Sequence, residues 1–503
     1  MGVLAVLRSR IKKATIGAMI TASHNPEEDN GIKLIDPAGE MLEVTWETHA
    51  TYLANVEDED ITSAIKSIVT KENVPMDVSA SVYVAMDTRG SSRRLSEALQ
   101  CGVQAAGGLC TDFGLLTTPQ LHYMVRCTNS NGLYGVATEE GYFQKLSTAF
   151  CKLRQQMGQK GDSAYKLTLK LDGANGVGAQ KARQLSPYIS DYLSIDICND
   201  GSTGKLNHQC GADFVKVNQR PPDGMSLQCD SRCASFDGDA DRIVYFYTDQ
   251  DGKFHLLDGD KIATLVAGYL QELMTRSGLS LNLGLVQTAY ANGSSTEYIT
   301  KTLKVPVACA ATGVKHLHHR ALEFDIGVYF EANGHGTVSN KYICHVLHLP
   351  GKMPCLLSYF ISLYMLNLMM SYYFLQTVGD AISDMLLVEV ILATYGWEAS
   401  NWDSAYTDLP NRQLKVKVED RTVITTADAE RTAVTPKGLQ QAVDNLVAKY
   451  NHGRSFVRPS GTEDVVRVYA EADTQVNADK LADEVGLAVY SMAGGIGDPP
   501  NAS

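Results

Sequence analysis

Basic side chains are in short supply: 44 lysines and arginines stand against 57 aspartates and glutamates, a net charge of −13. A sequence-independent nucleic-acid binder needs a basic surface to displace phosphate counterions, so that function class is disfavoured. A small phosphorylated ligand remains open, because a local basic pocket can sit inside an acidic protein. Cysteine is sparse as well, 11 among 503 residues, odd in number and without a CxxC pair. Such usage reads as reduced thiols in the cytoplasm rather than a disulfide framework. The short apolar run Met1–Leu7 lacks a basic segment before it and a clear cleavage site after it, and Val6 stands where myristoylation needs Ser or Thr. No GxxxxGK[ST] occurs, and the glycines of Asp172–Gly178 fall in the wrong order for GxGxxG. Neither a P-loop nor a dinucleotide site is expected.

What is present is an ordinary globular balance, 44% apolar and 20% charged, with little room for extended disorder. At about 150 residues per domain the length predicts three or four domains. Apolar runs at Thr15–Thr21, Ser81–Met86, Leu167–Leu171, Ile243–Tyr247, Leu283–Thr288 and Gly327–Phe330 alternate with helix-like stretches, and each leads into a polar loop. This pattern predicts repeated α/β units with ligands gathered at the loops beyond the strand ends. The end of the chain differs. The alternation Leu414–Val418, a helix over Leu439–Tyr450, a strand at Val465–Tyr469 and a helix from Asn477 predict a small α+β domain, with a fraying tail at Gly494–Ser503.

One segment breaks the pattern. No charged residue lies between Lys352 and Asp380, and Leu356–Leu375 is nearly all apolar or tyrosine, long enough for a membrane span. A single span there would put motifs that look like parts of one site on opposite sides of a membrane. A soluble helix is the expectation.

Four polar stretches carry chemistry. In Thr21–Lys33, directly after an apolar strand, Ser23 lies beside His24 and ahead of Pro26, placed to exchange a group at its hydroxyl. Lys33 follows the Gly31 turn and can return to the same pocket; the competing reading is a polar turn with a capping serine. In Phe236–Arg242 three carboxylates alternate, Asp237, Asp239 and Asp241, a concentration of charge that calls for a hard cation. Arg242 and Thr248 stand where an EF-hand needs Gly and Glu, so Mg²⁺ with open positions suits the loop better. Glu331–Gly336 offers a carboxylate, an amide and an imidazole, a set suited to hydroxyl-rich ligands. Thr312–His319 invites a zinc reading, but no further ligand completes it, and a partly exposed helix start is expected. Arg458–Arg467 joins two arginines to Ser460, Gly461 and Thr462, the makings of a phosphate cradle.

Together these loops resemble the phosphohexomutases, through roughly residues 15–337 and 379–497 and with the four motifs in the family's order. The wording of Glu331–Gly336 is nearer the acetylhexosamine branch than the glucose or mannose branches. The resemblance implies an α/β fold of three consecutive mixed α/β sheet domains plus a smaller C-terminal α+β domain around a central cleft. The domains would be 1–140 (phosphoserine loop, N-terminally incomplete), 141–257 (metal), 258–400 (sugar, with the atypical apolar segment) and 401–503 (phosphate). Ser23 would be the phosphorylated residue, with Lys33 and His24 handling the proton. One Mg²⁺ per chain would be held by Asp237, Asp239, Asp241 and an oxygen on Ser23. Glu331, Ala332 and Asn333 would bind the sugar, and Arg458, Pro459, Ser460, Gly461, Thr462 and Arg467 the phosphate.

The implied reaction interconverts N-acetylglucosamine 6-phosphate and 1-phosphate through a phosphoserine enzyme and a bisphosphate, toward UDP-N-acetylglucosamine, with a hexosamine bisphosphate as primer. A cytoplasmic monomer without nucleic-acid or membrane partners is the matching expectation. Two departures from the family pattern stand out. The usual opening strand and Gly-Thr-Ala-Gly-Phe-Arg-like loop have no counterpart before Ser23, and Val338–Val378 lacks the family's charged helical character. They lead us to expect an exposed sheet edge beside the Ser23 loop and reduced activity. Two alternatives stay open: a poorly active or non-catalytic truncated or splice-altered member, and a protein anchored in a membrane through 353–378.

Overall fold

The computed structural model describes residues 1–157, 164–340, 378–460 and 463–500. The proposed membrane segment, up to residue 377, and the cradle residues Gly461 and Thr462 lie outside the described residues.

Three sheets follow one another along the chain. The first contains β1 (Ile16–Ile20), β2 (Ile32–Ile35), β3 (Ser81–Met86) and β4 (Leu109–Leu115) in the order β2-β1-β3-β4. The second contains β5 (Thr168–Asp172), β6 (Ser194–Cys198), β7 (Cys233–Phe236), β8 (Ile243–Thr248) and β9 (Phe254–Leu257) in the order β6-β5-β7-β8-β9. The third contains β10 (Leu283–Gln287), β11 (Val307–Cys309), β12 (Ile326–Phe330) and β13 (Gly336–Asn340) in the order β11-β10-β12-β13. Strands β1, β7, β10 and β12 are buried along their whole length. Helices cover both faces of such sheets, which is why these strands read as continuous apolar runs rather than alternating ones. The C-terminal module pairs β14 (Asn411–Lys417), β17 (Arg454–Pro459) and β18 (Val465–Glu471) in the order β14-β18-β17, beside a small hairpin of β15 (Thr425–Ala427) and β16 (Thr432–Thr435).

One topological feature places the chemistry. Each motif loop closes an antiparallel strand pair: 21–31 joins β1 to β2, 237–242 joins β7 to β8, 331–335 joins β12 to β13, and the Arg458–Arg467 stretch turns from β17 into β18. In the first three sheets that turn leaves the carboxyl end of a strand paired in parallel on its other side, the position where α/β sheets bind ligands.

The strand that bears Ser23 at its end, β1, lies between β2 and β3, and the sheet edge beside the Ser23 loop is β2. The apolar start is a buried helix, Gly2–Lys12, packed on helix Ser92–Ala105; a Cβ on Gly2 would stand 2.1 Å from the Leu99 carbonyl oxygen, so glycine permits the approach. The tail is pinned at its start, where Ile496 N donates to Lys417 O at 3.0 Å and Glu419 N to Gly494 O at 3.0 Å.

One apolar core runs continuously through the first three modules, from Leu121 and Phe150 through Phe236 and Tyr245 to Leu285, Phe330, Leu386 and Trp402. At roughly 1.5–3 kcal/mol for each large side chain fully buried, this shared core locks the three sheets together. Helix Ala381–Tyr395 supplies much of it, and its Glu389 meets the buried Arg232 at 3.0 Å. The C-terminal module has its own core around Val416, Val466, Val468, Leu481 and Val485. It meets the third module through a small cluster of Ala289, Phe456 and Tyr469.

Candidate active site

The serine loop is held in a conformation that L-residues rarely adopt. Ser23 has φ +51°, a strain of about 1–3 kcal/mol. Hydrogen bonds from two modules offset it. Ser23 N donates to Thr21 Oγ1 at 2.9 Å, Arg89 Nη2 donates to the Ser23 and Asn25 carbonyls at 2.9 and 2.8 Å, and Asn207 Nδ2 reaches the same two carbonyls at 2.8 and 3.0 Å. A polar loop after a strand points to a surface position for Ser23. The residue is buried, only 6% exposed, because the second module closes over it. Its hydroxyl donates to Asp237 Oδ2 at 2.7 Å and lies 3.2 Å from Asp241 Oδ1.

The three aspartates are buried side by side, with one oxygen from each within 4.8 Å of the others. Asp237 Oδ1 accepts from the backbone of Asp241 and Arg242, at 3.0 and 3.1 Å, which fixes the tight turn. Asp239 Oδ2 accepts from Thr118 Oγ1 at 2.5 Å and Lys33 Nζ at 3.0 Å; Lys33 also meets Asp241 Oδ2 at 3.0 Å. Arg242 Nε stands 3.7 Å from Asp241 and 3.8 Å from Asp237. Burial, reinforced by the charges of Asp241 and Asp239, pushes the Asp237 carboxyl well above the usual carboxylate range. Burial acts the same way on Asp241, but Lys33, His335 and Arg242 outweigh it and hold that group well below. Asp239 Oδ1 is buried with no hydrogen-bond partner among the described residues. Hard oxygen donors with a lone pair left over fit a Mg²⁺ ion that takes its remaining ligands from water or phosphate.

The stretch Asp172–Gly178 also acquires a role here. Val177 N donates to Gly238 O at 3.2 Å, and a Cβ on Gly176 would lie 2.4 Å from that oxygen, so the glycine lets this loop support the aspartate turn.

The Glu331–Gly336 loop abuts the aspartate loop directly. Ile243 N donates to Gly334 O at 3.2 Å, and Arg242 bridges to His335. Gly334, at φ +87°, has no room for a side chain, since a Cβ would meet Ile243 O at 1.9 Å. Glu331 Oε1 accepts from Gly313 N at 2.9 Å, Asn333 Nδ2 reaches Glu331 Oε2 at 3.4 Å, and Ala332 O accepts from Gly259 N at 3.4 Å. The Thr312–His319 stretch forms a helix start as expected, with helix Val314–Ala321 turning Lys315 to Glu47 at 2.7 Å and His318 to the Tyr329 hydroxyl at 3.1 Å. Among the described residues the aspartate triad is the one group of three metal-ligating side chains.

The arginine pair lies on the fourth module, linked to the sugar loop rather than hydrogen-bonded to the serine centre. Arg458 and Arg467 are direct cross-strand partners on β17 and β18, a like-charge pairing that an anion would relieve. Arg458 Nε donates to the Tyr290 hydroxyl at 3.0 Å, and its Nη1 pairs with Glu430 at 3.4 Å. Arg467 Nε is buried without a hydrogen-bond partner among the described residues. Pro459 pairs with Val466 and Ser460 N donates to Val465 O at 2.9 Å, which shapes the start of the cradle.

His24 turns toward a cavity of about 510 Å³ between the first and second modules, lined also by Lys205, Asn207, His208 and Asp213. Burial, aided by Arg242, lowers its pKa, and Nδ1 is buried without a hydrogen-bond partner among the described residues. Lys33, expected to accept a proton, is instead an ammonium clasped by two carboxylates, whose charges outweigh desolvation and push its pKa up. Arg89, Thr118, Asn207, Tyr290 and Glu430 were not singled out from the sequence. Arg89 alone carried a signal, as the basic residue of Asp87–Gly90 in a strand-end loop after β3.

Four loops, bringing a serine, a carboxylate triad, a Glu-Asn pair and an arginine pair to four successive modules, define a phosphohexomutase. Family models match in the same order: phosphoglucomutase/phosphomannomutase α/β/α domain I at 4–61 and 53–136, phosphoacetylglucosamine mutase AMG1 domain II at 133–244 and domain III at 258–397, and the phosphoglucomutase/phosphomannomutase C-terminal domain at 414–488. The domain III match spans the apolar segment set apart in the sequence. The chain belongs to the phosphoacetylglucosamine mutase family. It is 58% identical to the human phosphoacetylglucosamine mutase over 509 residues, covering 99% of this chain and 92% of that one. Among solved structures it is similar to Aspergillus fumigatus N-acetylphosphoglucosamine mutase in complex with GlcNAc-6P and magnesium, with TM-score 0.92, 47% identity, and 98% and 92% of the two chains covered. A complex of the same fungal enzyme with glucose 1,6-bisphosphate gives TM-score 0.90 at 47% identity, with 98% and 92% covered. Among the described residues no helix is long and apolar enough to cross a membrane.

Proposed function

We propose that this chain interconverts N-acetylglucosamine 6-phosphate and N-acetylglucosamine 1-phosphate through a phosphoserine at Ser23 and a hexosamine bisphosphate. The observation that carries this reading is the Ser23 hydroxyl, 2.7 Å from Asp237 inside a triad of buried carboxylates. Asp237, Asp239, Asp241 and the serine oxygen would hold one Mg²⁺, which when bound supplies neutralising charge to the transferring phosphoryl group. In the first half-reaction the bond from phosphorus to Ser23 Oγ breaks and a bond to the free sugar hydroxyl forms. The proton of that hydroxyl passes to a base at the serine loop, His24, whose imidazole burial keeps neutral, while the Lys33 ammonium adds fixed positive charge beside the aspartates. Glu331 and Asn333 orient the sugar through its hydroxyls. Arg458 and Arg467 grip the phosphate that is not reacting, with Ser460, Gly461 and Thr462 completing the cradle. The bisphosphate then turns end for end, and Ser23 takes back the other phosphoryl group. Most of the rate enhancement comes from positioning and fixed charge.

Relatives that carry the GlcNAc-6P and bisphosphate ligands support this choice of substrate and primer. The same reading makes the enzyme a cytoplasmic monomer supplying the 1-phosphate for UDP-N-acetylglucosamine. Purified protein, given N-acetylglucosamine 6-phosphate and a bisphosphate primer, should form the 1-phosphate and carry phosphate on the Thr21–Lys33 peptide by mass spectrometry. Turnover with that peptide never phosphorylated would overturn the mechanism, and no turnover at all would favour the non-catalytic alternative.

A further inference from the structure

The hairpin between β15 and β16 has a tip that no part of the proposed mechanism uses. Three consecutive non-glycine residues there, Asp428, Ala429 and Glu430, hold φ values of 51°, 54° and 67°. Such strain persists only where the surroundings impose it. What it achieves is the placement of one carboxylate. Glu430 Oε2 accepts from both Thr312 N, at 2.9 Å, and Thr312 Oγ1, at 2.5 Å, on the third module. Its other oxygen pairs with Arg458 Nη1 at 3.4 Å on the fourth. The next residue after Thr312 continues the chain of contacts, Gly313 N donating to Glu331 Oε1 at 2.9 Å. A polar relay therefore runs from the sugar-loop carboxylate through Thr312–Gly313 and Glu430 to the arginine pair.

We propose that Glu430 is a latch that occupies Arg458 in place of a phosphate and fastens the fourth module to the third when no substrate is bound. This inference rests on the phosphate-gripping role given to Arg458 above. The chemistry favours exchange. An arginine side chain 15% exposed, facing a second arginine across the sheet, needs an anion, and Glu430 supplies one that is tethered and singly charged. A sugar phosphate brings more charge and a forked set of acceptors, so it displaces the carboxylate from the guanidinium. Once the phosphate leaves, Glu430 retakes Arg458. For a bisphosphate that must let go of one grip and return by its other end, a competing internal anion lowers the cost of release. Glu430 thus acts as a positioning residue that trades ground-state affinity for exchange.

The test is a split between KM and kcat. For Glu430→Ala we expect KM for N-acetylglucosamine 6-phosphate and the inhibition constant for inorganic phosphate to fall by about three- to tenfold, with kcat lowered as release slows. Glu430→Gln, which keeps an acceptor for Thr312 but loses the charge facing Arg458, should shift both constants the same way and guards against misfolding of the alanine variant. A merely structural Glu430 would raise KM or leave it unchanged, and that result in both variants overturns the latch. Arg458→Ala separates the two readings. If it weakens phosphate inhibition while the Glu430 variants do not strengthen it, the latch alone fails. If it leaves phosphate inhibition unchanged, the phosphate grip fails and the latch with it.

Discussion

The serine–aspartate centre and the arginine pair are built by opposite rules. Around Ser23 everything is fixed: the first and second modules share one apolar core, the loop is held by Arg89 and Asn207, and the aspartates are buried and clasped by Lys33, Thr118 and their own backbone. Around Arg458 the hold is narrower. The fourth module has its own core, touches the third through a small aromatic cluster, and is otherwise attached by polar contacts, with Asn292 bonded to both the N–H and the carbonyl of Leu409 and Arg454 reaching the Ala289 and Ala291 carbonyls. Phosphoryl transfer rewards an electrostatic environment that does not reorganise, whereas a bisphosphate that must reverse its ends rewards a grip that can let go. Under the proposed mechanism the two demands fall on different modules.

The largest effects are expected at the serine–aspartate centre. Ser23→Ala should lower turnover by on the order of 10⁴-fold or more, since it removes the group that carries the phosphate. The same variant should melt within a few degrees of wild type despite the burial of Ser23, because the loop is held through backbone carbonyls that alanine retains. Turnover near wild type, followed in a coupled assay, would remove Ser23 from the mechanism. Next in size is the cation. Asp239→Asn should cost about 10²- to 10³-fold in kcat. Added Mg²⁺ should raise the melting temperature of wild type and not of the variant, because a ligand bound to the folded state alone stabilises it. Equal upward shifts in both proteins would place the ion elsewhere.

Much of the fixed end could be read from the sequence. Ser23 and the three aspartates sit in short loops directly after fully apolar strands, so local pattern and local chemistry coincide. What supports them could not be read in that way. Asn207 and Thr118 come from other turns of the chain, 184 and 121 residues from the groups they bond, and nothing in their neighbourhoods announces it. The burial of Ser23 is hidden for the same reason, since a loop polar in sequence is covered by a module that arrives much later. At the arginine end Arg458 and Arg467 were legible, but Glu430 was not. It looks like one more acidic turn residue, and only the pairing of β15 with β16 carries it to Arg458.

A smaller effect is expected at the arginine end. Arg458→Lys keeps the charge but loses the fork, and should raise KM by about tenfold while changing kcat less. A change of similar size in kcat with KM untouched would mean that Arg458 acts on the transferring group instead, and the division between the two ends would fail.

The smallest effect concerns the strap that leads into the fourth module. Lys261 donates to the Tyr406 carbonyl at 2.5 Å and the Asp403 carbonyl at 3.1 Å, and Asp408 follows just before the pinned Leu409. Burial, aided by the charge of Asp258 and opposed by Lys261 and Lys216, pushes the Asp408 carboxyl up to about 6. The folded state therefore keeps a proton that the unfolded chain releases near its ordinary value of about 4. The stability this contributes is fully present below that value and is lost as pH rises through about 6. Asp408→Asn stays neutral throughout, so wild type and variant should melt together near pH 4, and the variant should be the more stable by about 2–3 kcal/mol at pH 8. Parallel melting curves across that range would show that Asp408 is solvated as an ordinary carboxylate. A drop in stability at every pH would show instead that its charge is needed by Lys216 and Lys261, and the strap would then be held by an ion-pair network rather than by the bonds at Leu409.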